Sequence, residues 1–557
     1  VRQGVFDPLN NIQGLYPHQA GETSHSEAKP WVTWPEWMWA ISWSVVVLAV
    51  TGLPYLYGAV ASTPNSQFSG FVIGLEDGNS YLAKMQQGRS GYWLFRLVYT
   101  PEPHQGEPFF IFYILLGKVA GLTGLSNLAL FHLSRIVTVP FGLLAFYYFA
   151  AYFTQQVKIR QLAFIIFGLS AGLGWLWLIG GGASKLGRMP VDLWVPDASY
   201  FLSALTFPHL PLAQGLLFLF SVTGLEFIQS GQKWTGVMAA LYGVAVSLIH
   251  PHTLPVMGLL LGLYILWQHF SQKRQLIKGG LRLVVTIVPS LPYLLYVLIV
   301  FARNPAFVAW REQSLTYSPA PAHYLLGFGL PLLFAIVGVV ITGRRPDAKI
   351  RFLRIWFLSV PVLVYLPLAL QRRFLDGYQG PLAVLAAMGL WWMAQLIAGK
   401  RAQMAAIGGF LFLMTLTNLL LVTGAIVTIA QRFETVFVPI AQVKAAQWLA
   451  AGKPKAVVLA AYDTGNYLPT IADVRTFVGH GPETARSDEK RQLAAQFFAV
   501  ATSDIWRQQL LAQYNIQYLY YGSNERNLGE FFPADASYLQ LVYDNRQVQI
   551  YRVINNE

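Results

Sequence analysis

The chain has 557 residues, of which 55% are hydrophobic and only 12% charged. Soluble globular chains carry about 25% charged residues, so this balance excludes an ordinary soluble enzyme and a disordered chain. The chain has no cysteine, which excludes disulfide scaffolds, cysteine-ligated metals and a thiol nucleophile. Its net charge of +13 reads as membrane orientation, with no nucleic-acid partner, because the basic residues cluster in short loops between apolar runs.

The first 34 residues are polar and rich in Pro, His and Gln. They lack the apolar core and cleavage site of a signal peptide and read as a cytoplasmic N-terminal tail, 1–34. A transmembrane helix needs about 20 mostly apolar residues. Runs of that kind cover 35–57, 133–153, 161–181, 209–229, 235–250, 253–270, 281–301, 323–342, 353–370, 380–398 and 404–430. A shorter run, 109–124, carries Lys118. The basic short loops are Lys158/Arg160, Lys233, Lys273/Arg274/Lys278, Arg344/Arg345/Lys349/Arg351 and Lys400/Arg401. All fall inside if 58–132 stays wholly outside. The 109–124 run is then a helix lying on the outer face, and eleven spans remain.

The expected fold is an α-helical polytopic membrane protein with a small C-terminal soluble α/β domain. Its transmembrane domain covers 35–430, with outer loops 58–132, 182–208, 302–322 and 371–379. The expected location is the plasma membrane, with a cytoplasmic N-terminus. Residues 431–557 are more charged and form the extracytoplasmic α/β domain. Val457–Ala460, Gln517–Tyr521, Tyr538–Tyr543 and Gln547–Val553 predict strands. Ala485–Val500 and Asp504–Tyr514 predict helices, and Asp544-Asn545 predicts a hairpin turn.

Ionisable groups are costly at membrane depth, so the acids are informative. Between residues 58 and 430 only ten occur: Glu76, Asp77, Glu102, Glu107, Asp192, Asp197, Glu226, Glu312, Asp347 and Asp376. All except Glu226 and Asp347 fall on the outer side of the expected topology. Loops must carry polar residues in any case; the alternative is a site at the outer surface on which several carboxylates converge. The sharpest segment is Gly74-Leu75-Glu76-Asp77-Gly78-Asn79-Ser80-Tyr81, an acid pair at the start of a short amphipathic helix. Asp77 or Asn79 is a candidate helix cap. As a functional group, a carboxylate here accepts a proton from an acceptor hydroxyl.

A long loop that opens with an acid pair and Tyr is followed by Gly106-Glu107-Pro108-Phe109-Phe110-Ile111-Phe112-Tyr113 and then His132-Leu133-Ser134-Arg135. In this the chain resembles the GT-C superfamily of integral-membrane glycosyltransferases, whose members include protein O-mannosyltransferases and aminoarabinose transferases. The family pattern Asp-Glu-x-x-Tyr is matched at Asp77 and Tyr81, but Gly78 stands where the Glu would be and the second acid is Glu76.

The resemblance implies a sugar moved from a polyprenyl-phosphate or polyprenyl-diphosphate carrier to a glycan, lipid or protein acceptor at the outer leaflet of the bilayer. It implies Asp77 as general base, with Glu76 beside it. It also implies a divalent metal, Mg²⁺ or Mn²⁺, on Asp77, Asp192 and Asp197, since these ions take oxygen ligands. Asp192 and Asp197 are otherwise ordinary polar residues of a Pro-bracketed loop. The substrate-binding candidates are Tyr81, Lys118, Arg303, Arg311, Arg372, Arg373, His209 and His250. Arg372 and Arg373 break the positive-inside pattern. Guanidinium forks grip phosphate oxygens, although snorkelling to headgroups accounts for them equally.

His250 and His252 flank Pro251, with no third metal ligand evident, and they read as hydrogen-bonded interfacial histidines, as do His132 and His104. Gly479-His480-Gly481-Pro482-Glu483-Thr484 is a Gly-rich turn whose Thr484 is expected to cap the next helix. The rival functions are a non-catalytic scaffold and a lipid-linked-sugar transporter or flippase. A transporter would want broken or charged helices at mid-membrane.

Overall fold

The computed structural model describes residues 31–182, 189–272, 276–343, 347–434, 436–452 and 454–554. The expected tail up to residue 30, and Lys273, Arg274, Arg344 and Arg345 of the basic loops, lie outside the described residues. A bilayer core offers no hydrogen-bond partner, so a crossing segment satisfies its backbone as a helix. α-Helix covers most of each of the eleven expected spans, with interruptions inside 161–181 and 281–301. Among the described residues, eight helices are long and apolar enough to cross a membrane. The helices at the other three expected spans, Lys233–Ile249, Ala348–Leu363 and Gln379–Gln395, have 17, 16 and 17 residues. They rise about 25 Å, somewhat less than the hydrocarbon thickness of about 30 Å.

The chain divides into two compact units. The first comprises the chain up to Leu53, Arg135–Leu294 and Thr316–Gly424. Its helices Pro321–Gly343 and Gln379–Gln395 meet backbone to backbone. A Cβ on Gly338 would lie 2.1 Å from the Leu385 carbonyl oxygen, and one on Gly389 would lie 2.0 Å from that of Phe334. Small residues allow this approach where apolar burial cannot drive helices together.

The expected span over 161–181 is interrupted. Val157–Leu169 and Gly174–Ile179 are separate helices. The freed backbone groups find substitutes. Ala171 N–H donates to the Met414 carbonyl at 2.7 Å, and Leu173 N–H to that of Leu326 at 2.7 Å. The Asn418 amide donates to the Leu169 carbonyl at 2.7 Å. The Asp192 carboxylate accepts from the N–H groups of Gly172 and Gly174, at 3.0 and 3.1 Å. Asp192 thus seats the first turn of the resumed helix.

The second unit comprises Pro54–Ser134, Leu295–Leu315 and the chain from Ala425 onward. Its five-stranded sheet has the order Arg475–Thr476, Val457–Leu459, Tyr518–Tyr521, Gln549–Val553, Leu539–Asp544. The first three strands are parallel, and the last two add antiparallel neighbours. Four of these are the expected strands. The fifth, Arg475–Thr476, is two residues long and too short for a pattern. One face packs on Phe477, Phe497, Phe498, Leu510 and Leu511, and the other on Ala445, Ala446, Leu449 and Leu468.

In the same unit, the run expected over 109–124 is the helix Ile111–Thr123. Its 13 residues rise about 20 Å, too little to cross a bilayer. It packs closely on the helix Leu75–Arg89: a Cβ on Gly117 would meet the Met85 carbonyl at 1.9 Å. A two-stranded ladder pairs Ser66–Phe68 with Phe437–Pro439.

Burial pushes the Asp192 carboxyl up to about 7, whereas an unfolded aspartate titrates near about 3.9. The folded chain therefore keeps this proton where the unfolded chain has lost it, and the stability involved declines as pH rises from about 4 through about 7. Asp192→Asn retains an oxygen for the two glycine N–H groups and removes the titration. The thermal midpoint of the purified protein should fall less between about pH 5 and pH 8 in this variant than in the wild type. Equal slopes would contradict the account.

Candidate functional site

The helix Leu75–Arg89 starts abruptly because Gly74 adopts a left-handed conformation, φ +67°. Glu76 and Asp77 lie in its first turn, where the exposed N–H groups favour negative charge. The N-cap position itself is Gly74, which has no side chain to cap the helix. Glu76 is fixed from several sides. Its Oε1 accepts from the Tyr462 hydroxyl and, at 2.7 Å, from Gly481 N–H. The Asn466 amide donates to the Glu76 carbonyl at 3.2 Å and accepts from Asn79 at 2.8 Å.

Asp77 differs from its neighbour. Its side chain is 58% exposed, with Oδ1 at 3.3 Å from His480 Nε2. The His480 Nδ1 accepts from Glu483 N–H at 3.3 Å, so the neutral ring carries its proton on Nε2, toward Asp77. Burial opposes the charged imidazole, but Glu483, Asp77 and Glu76 outweigh it and raise the His480 pKa. One turn along the helix, Glu483 accepts from Ser80 and from Lys84, each at 2.7 Å. Lys84 is 1% exposed, and its ammonium lies 4.2 Å from the Phe110 ring centre. Burial works against the ionised Glu483, yet Lys84 and His480 hold its carboxyl below the usual range.

The loop Gly479–Thr484 thus clasps the acid-bearing helix. The expectation that Thr484 caps the following helix is not met. That helix starts at Ser487, and the Thr484 hydroxyl accepts instead from the N–H groups of Gly479 and His480, closing the loop on itself. Gln313 ties the helix Pro305–Gln313 to this loop by donating to the Thr484 carbonyl at 2.8 Å.

The remaining candidates of this unit are placed as follows. Tyr81 stacks on Tyr113 with ring centres 4.4 Å apart. Lys118 donates to the Gly91 carbonyl at 3.0 Å and lies over Trp93. That is the far end of the Leu75–Arg89 helix, about 20 Å from Asp77. Arg303 ends the helix Leu291–Arg303 and is exposed. Arg311 is exposed on the helix Pro305–Gln313, 3.8 Å from Glu312.

In the membrane-helix unit the turn Gln371–Leu375 is the meeting point. Arg373 Nη1 lies 3.2 Å from the Asp197 carboxylate. The Arg372 guanidinium sits over the Trp194 ring at 4.4 Å. Asp376 follows directly. It receives His250 Nδ1 at 2.5 Å and the Thr253 hydroxyl at 3.0 Å, with His252 Nε2 at 3.5 Å. The His209 ring lies 5.2 Å from that of His250. Arg372, Arg373, Asp197, His209 and His250 are therefore linked through one turn, whereas Asp192 is engaged at the helix break. Burial opposes ionisation of Asp376, but His250 and His252 hold its carboxyl well below the usual range. Burial lowers the His252 pKa.

Of the oxygen-only metal set expected from Asp77, Asp192 and Asp197, Asp192 Oδ2 accepts from backbone N–H groups and Asp197 faces a guanidinium. Among the described residues, the group with metal-ligand spacing is His250, His252 and Asp376, whose ligand atoms all lie within 4.8 Å of one another. The third ligand that no local pattern offered comes from 124 positions beyond His252. In the first loop, His104 is hydrogen-bonded as expected, through Leu97 N–H and the Glu102 carbonyl.

No protein-family model and no curated sequence matches the chain. Among solved structures it is similar to the oligosaccharyltransferase of Archaeoglobus fulgidus tethered with an acceptor peptide. The TM-score is 0.53 at 12% identity, over 93% of this chain and 74% of that one. It is likewise similar to the same organism's oligosaccharyltransferase AglB in complex with an inhibitory peptide and a dolichol-phosphate. There the TM-score is 0.50 at 13% identity, over 93% and 74%. The arabinofuranosyltransferase AftD from Mycobacteria matches with a TM-score of 0.51 at 13% identity, over 92% of this chain and 40% of that one. The fold of this chain is that of the GT-C membrane glycosyltransferases, as the sequence resemblance implied.

Proposed function

We propose that the protein is a membrane glycosyltransferase that moves a sugar from a polyprenyl-phosphate or polyprenyl-diphosphate carrier to an acceptor nucleophile, with Asp77 as general base. The observation that carries this reading is the contrast within the acid pair. Glu76 is locked by Tyr462 and Gly481, while Asp77 presents a carboxylate to solvent from the same rigid turn. A base must be accessible and held in a fixed direction, and this turn supplies both. His480 orients the Asp77 carboxylate.

In the proposed reaction the acceptor oxygen or nitrogen attacks the anomeric carbon and loses its proton to Asp77. The bond between that carbon and the phosphate oxygen breaks, and the electron pair leaves with the phosphate. Charge grows on that oxygen, and guanidinium groups stabilise it. Within the membrane-helix unit, considered by itself, Arg372 and Arg373 are proposed as contacts for a phosphate group. Asp197 and the Trp194 ring orient them. A protein of the same fold with dolichol-phosphate bound supports a lipid-linked donor.

Asp77→Asn should lower the release of polyprenyl phosphate from labelled polyprenyl-phosphate sugars by about 10²-fold or more. The thermal midpoint should stay that of the wild type. Wild-type turnover by this variant would remove Asp77 from the mechanism. The basic loops place the C-terminal sheet outside the cell in this proposal. Cysteine introduced at exposed Ser523 should react with an impermeant maleimide in intact cells, and cysteine at exposed Lys158 should not. The native chain has no cysteine, so background from this protein is nil. The reverse pattern would invert the topology.

A further inference from the structure

We propose that His250, His252 and Asp376 form a binding site for one zinc-like divalent metal ion. The inference stands on this cluster's own geometry and does not depend on the transferase reading. His250 caps the end of the helix Lys233–Ile249, and Pro251 turns the chain so that His252 faces back toward it. Their rings lie 5.0 Å apart. Asp376 arrives from the far side, on the residue that follows the Gln371–Leu375 turn. The His250 and Asp376 side chains are buried, and His252 is half-buried at 17% exposed.

Two atoms in this cluster are left over. Asp376 Oδ1 is shielded from solvent and has no hydrogen-bond partner, and His252 Nε2, also shielded, has only the long 3.5 Å approach to Asp376 Oδ2. A buried polar atom without a partner costs about 1–3 kcal/mol. These two atoms of complementary ligand chemistry in one cluster mark a place for an occupant that accepts electron pairs from both. A cation does so. Three donor groups whose ligand atoms lie within 4.8 Å of one another match the first shell of such an ion.

The donor set selects the ion. Mg²⁺ and Ca²⁺ take oxygen ligands almost exclusively, whereas two imidazole nitrogens with one carboxylate suit zinc and its neighbours. Three protein ligands leave a fourth position for water or an anionic group. The Thr253 hydroxyl on Asp376 Oδ2 is the kind of outer hydrogen bond that orients a metal-binding carboxylate. An ion here would join the Pro251 turn to the turn bearing Arg372 and Arg373, and so would hold that turn.

The test uses the full chain purified without a polyhistidine tag, stripped with a chelator and titrated with Zn²⁺ or Co²⁺. The wild type should bind one equivalent, and its Co²⁺ form should show the strong visible absorption of a four-coordinate site. Zn²⁺ should raise the thermal midpoint by several degrees, and Mg²⁺ at equal concentration should not. His252→Gln should bind at least tenfold more weakly and lose the thermal response, while its metal-free midpoint matches the stripped wild type. His269→Gln should behave as the wild type. Should His252→Gln fail to fold, X-ray absorption of the zinc-loaded wild type decides: the expected shell contains two imidazoles at about 2.0–2.1 Å. Less than one equivalent in the wild type, unchanged affinity in His252→Gln, or a shell without two imidazoles would overturn the proposal and leave a proton-sharing histidine–aspartate network.

Discussion

Hydrocarbon offers a polar group nothing to bond to, and this one constraint arranges most of the molecule. It makes the long apolar runs helical, because only a helix satisfies its backbone from within. It also requires a partner for each ionisable group that stays within a helix: Glu36 takes Arg160 at 2.9 Å, and Arg135 donates to the Ala204 carbonyl at 2.7 Å. Even the span interrupted within 161–181 obeys it. The peptide groups released at Ser170–Leu173 are taken up by Met414, Leu326, Thr417, Asn418 and Asp192. A carboxylate that looked like a ligand in the sequence is therefore a backbone acceptor in the fold.

What a local pattern can reveal follows from its range. Apolar runs of about 20 residues stand out against any loop, so the spans were legible to within a few residues. The strands of the sheet were legible by alternation, apart from the two-residue strand Arg475–Thr476. The break at Ser170–Leu173 was not, because Gly-Leu-Ser-Ala-Gly-Leu-Gly is too apolar to interrupt a hydropathy trace. The acid pair announced itself by position. Its partners did not: Tyr462 is 386 residues from Glu76, and Glu483 is 399 from Lys84. The same holds for Asp376, 126 residues from His250. Spacing rules describe one element at a time, and these clusters are built from several.

The electrostatics of the two clusters differ in kind. In Lys84–Glu483 the charges are buried and matched, and Ser80 and Phe110 complete the shell. Breaking such a pair leaves an uncompensated charge and is usually costly. Asp376 instead gathers two histidines and a threonine while one oxygen stays without a hydrogen bond. The first arrangement is closed, and the second is chemically unfinished.

The clasp of Gly479–Thr484 on the Leu75–Arg89 helix bears on how this protein can be divided. A fragment cut to contain only the C-terminal sheet would carry Glu483 with no ammonium beside it, and a membrane portion lacking the sheet would strand Lys84 in the same way. Neither half is a self-sufficient object. Replacement of the C-terminal segment by a foreign one would have to carry the matching first-loop helix along, because Lys84 and Glu483 are one buried pair contributed from 399 positions apart.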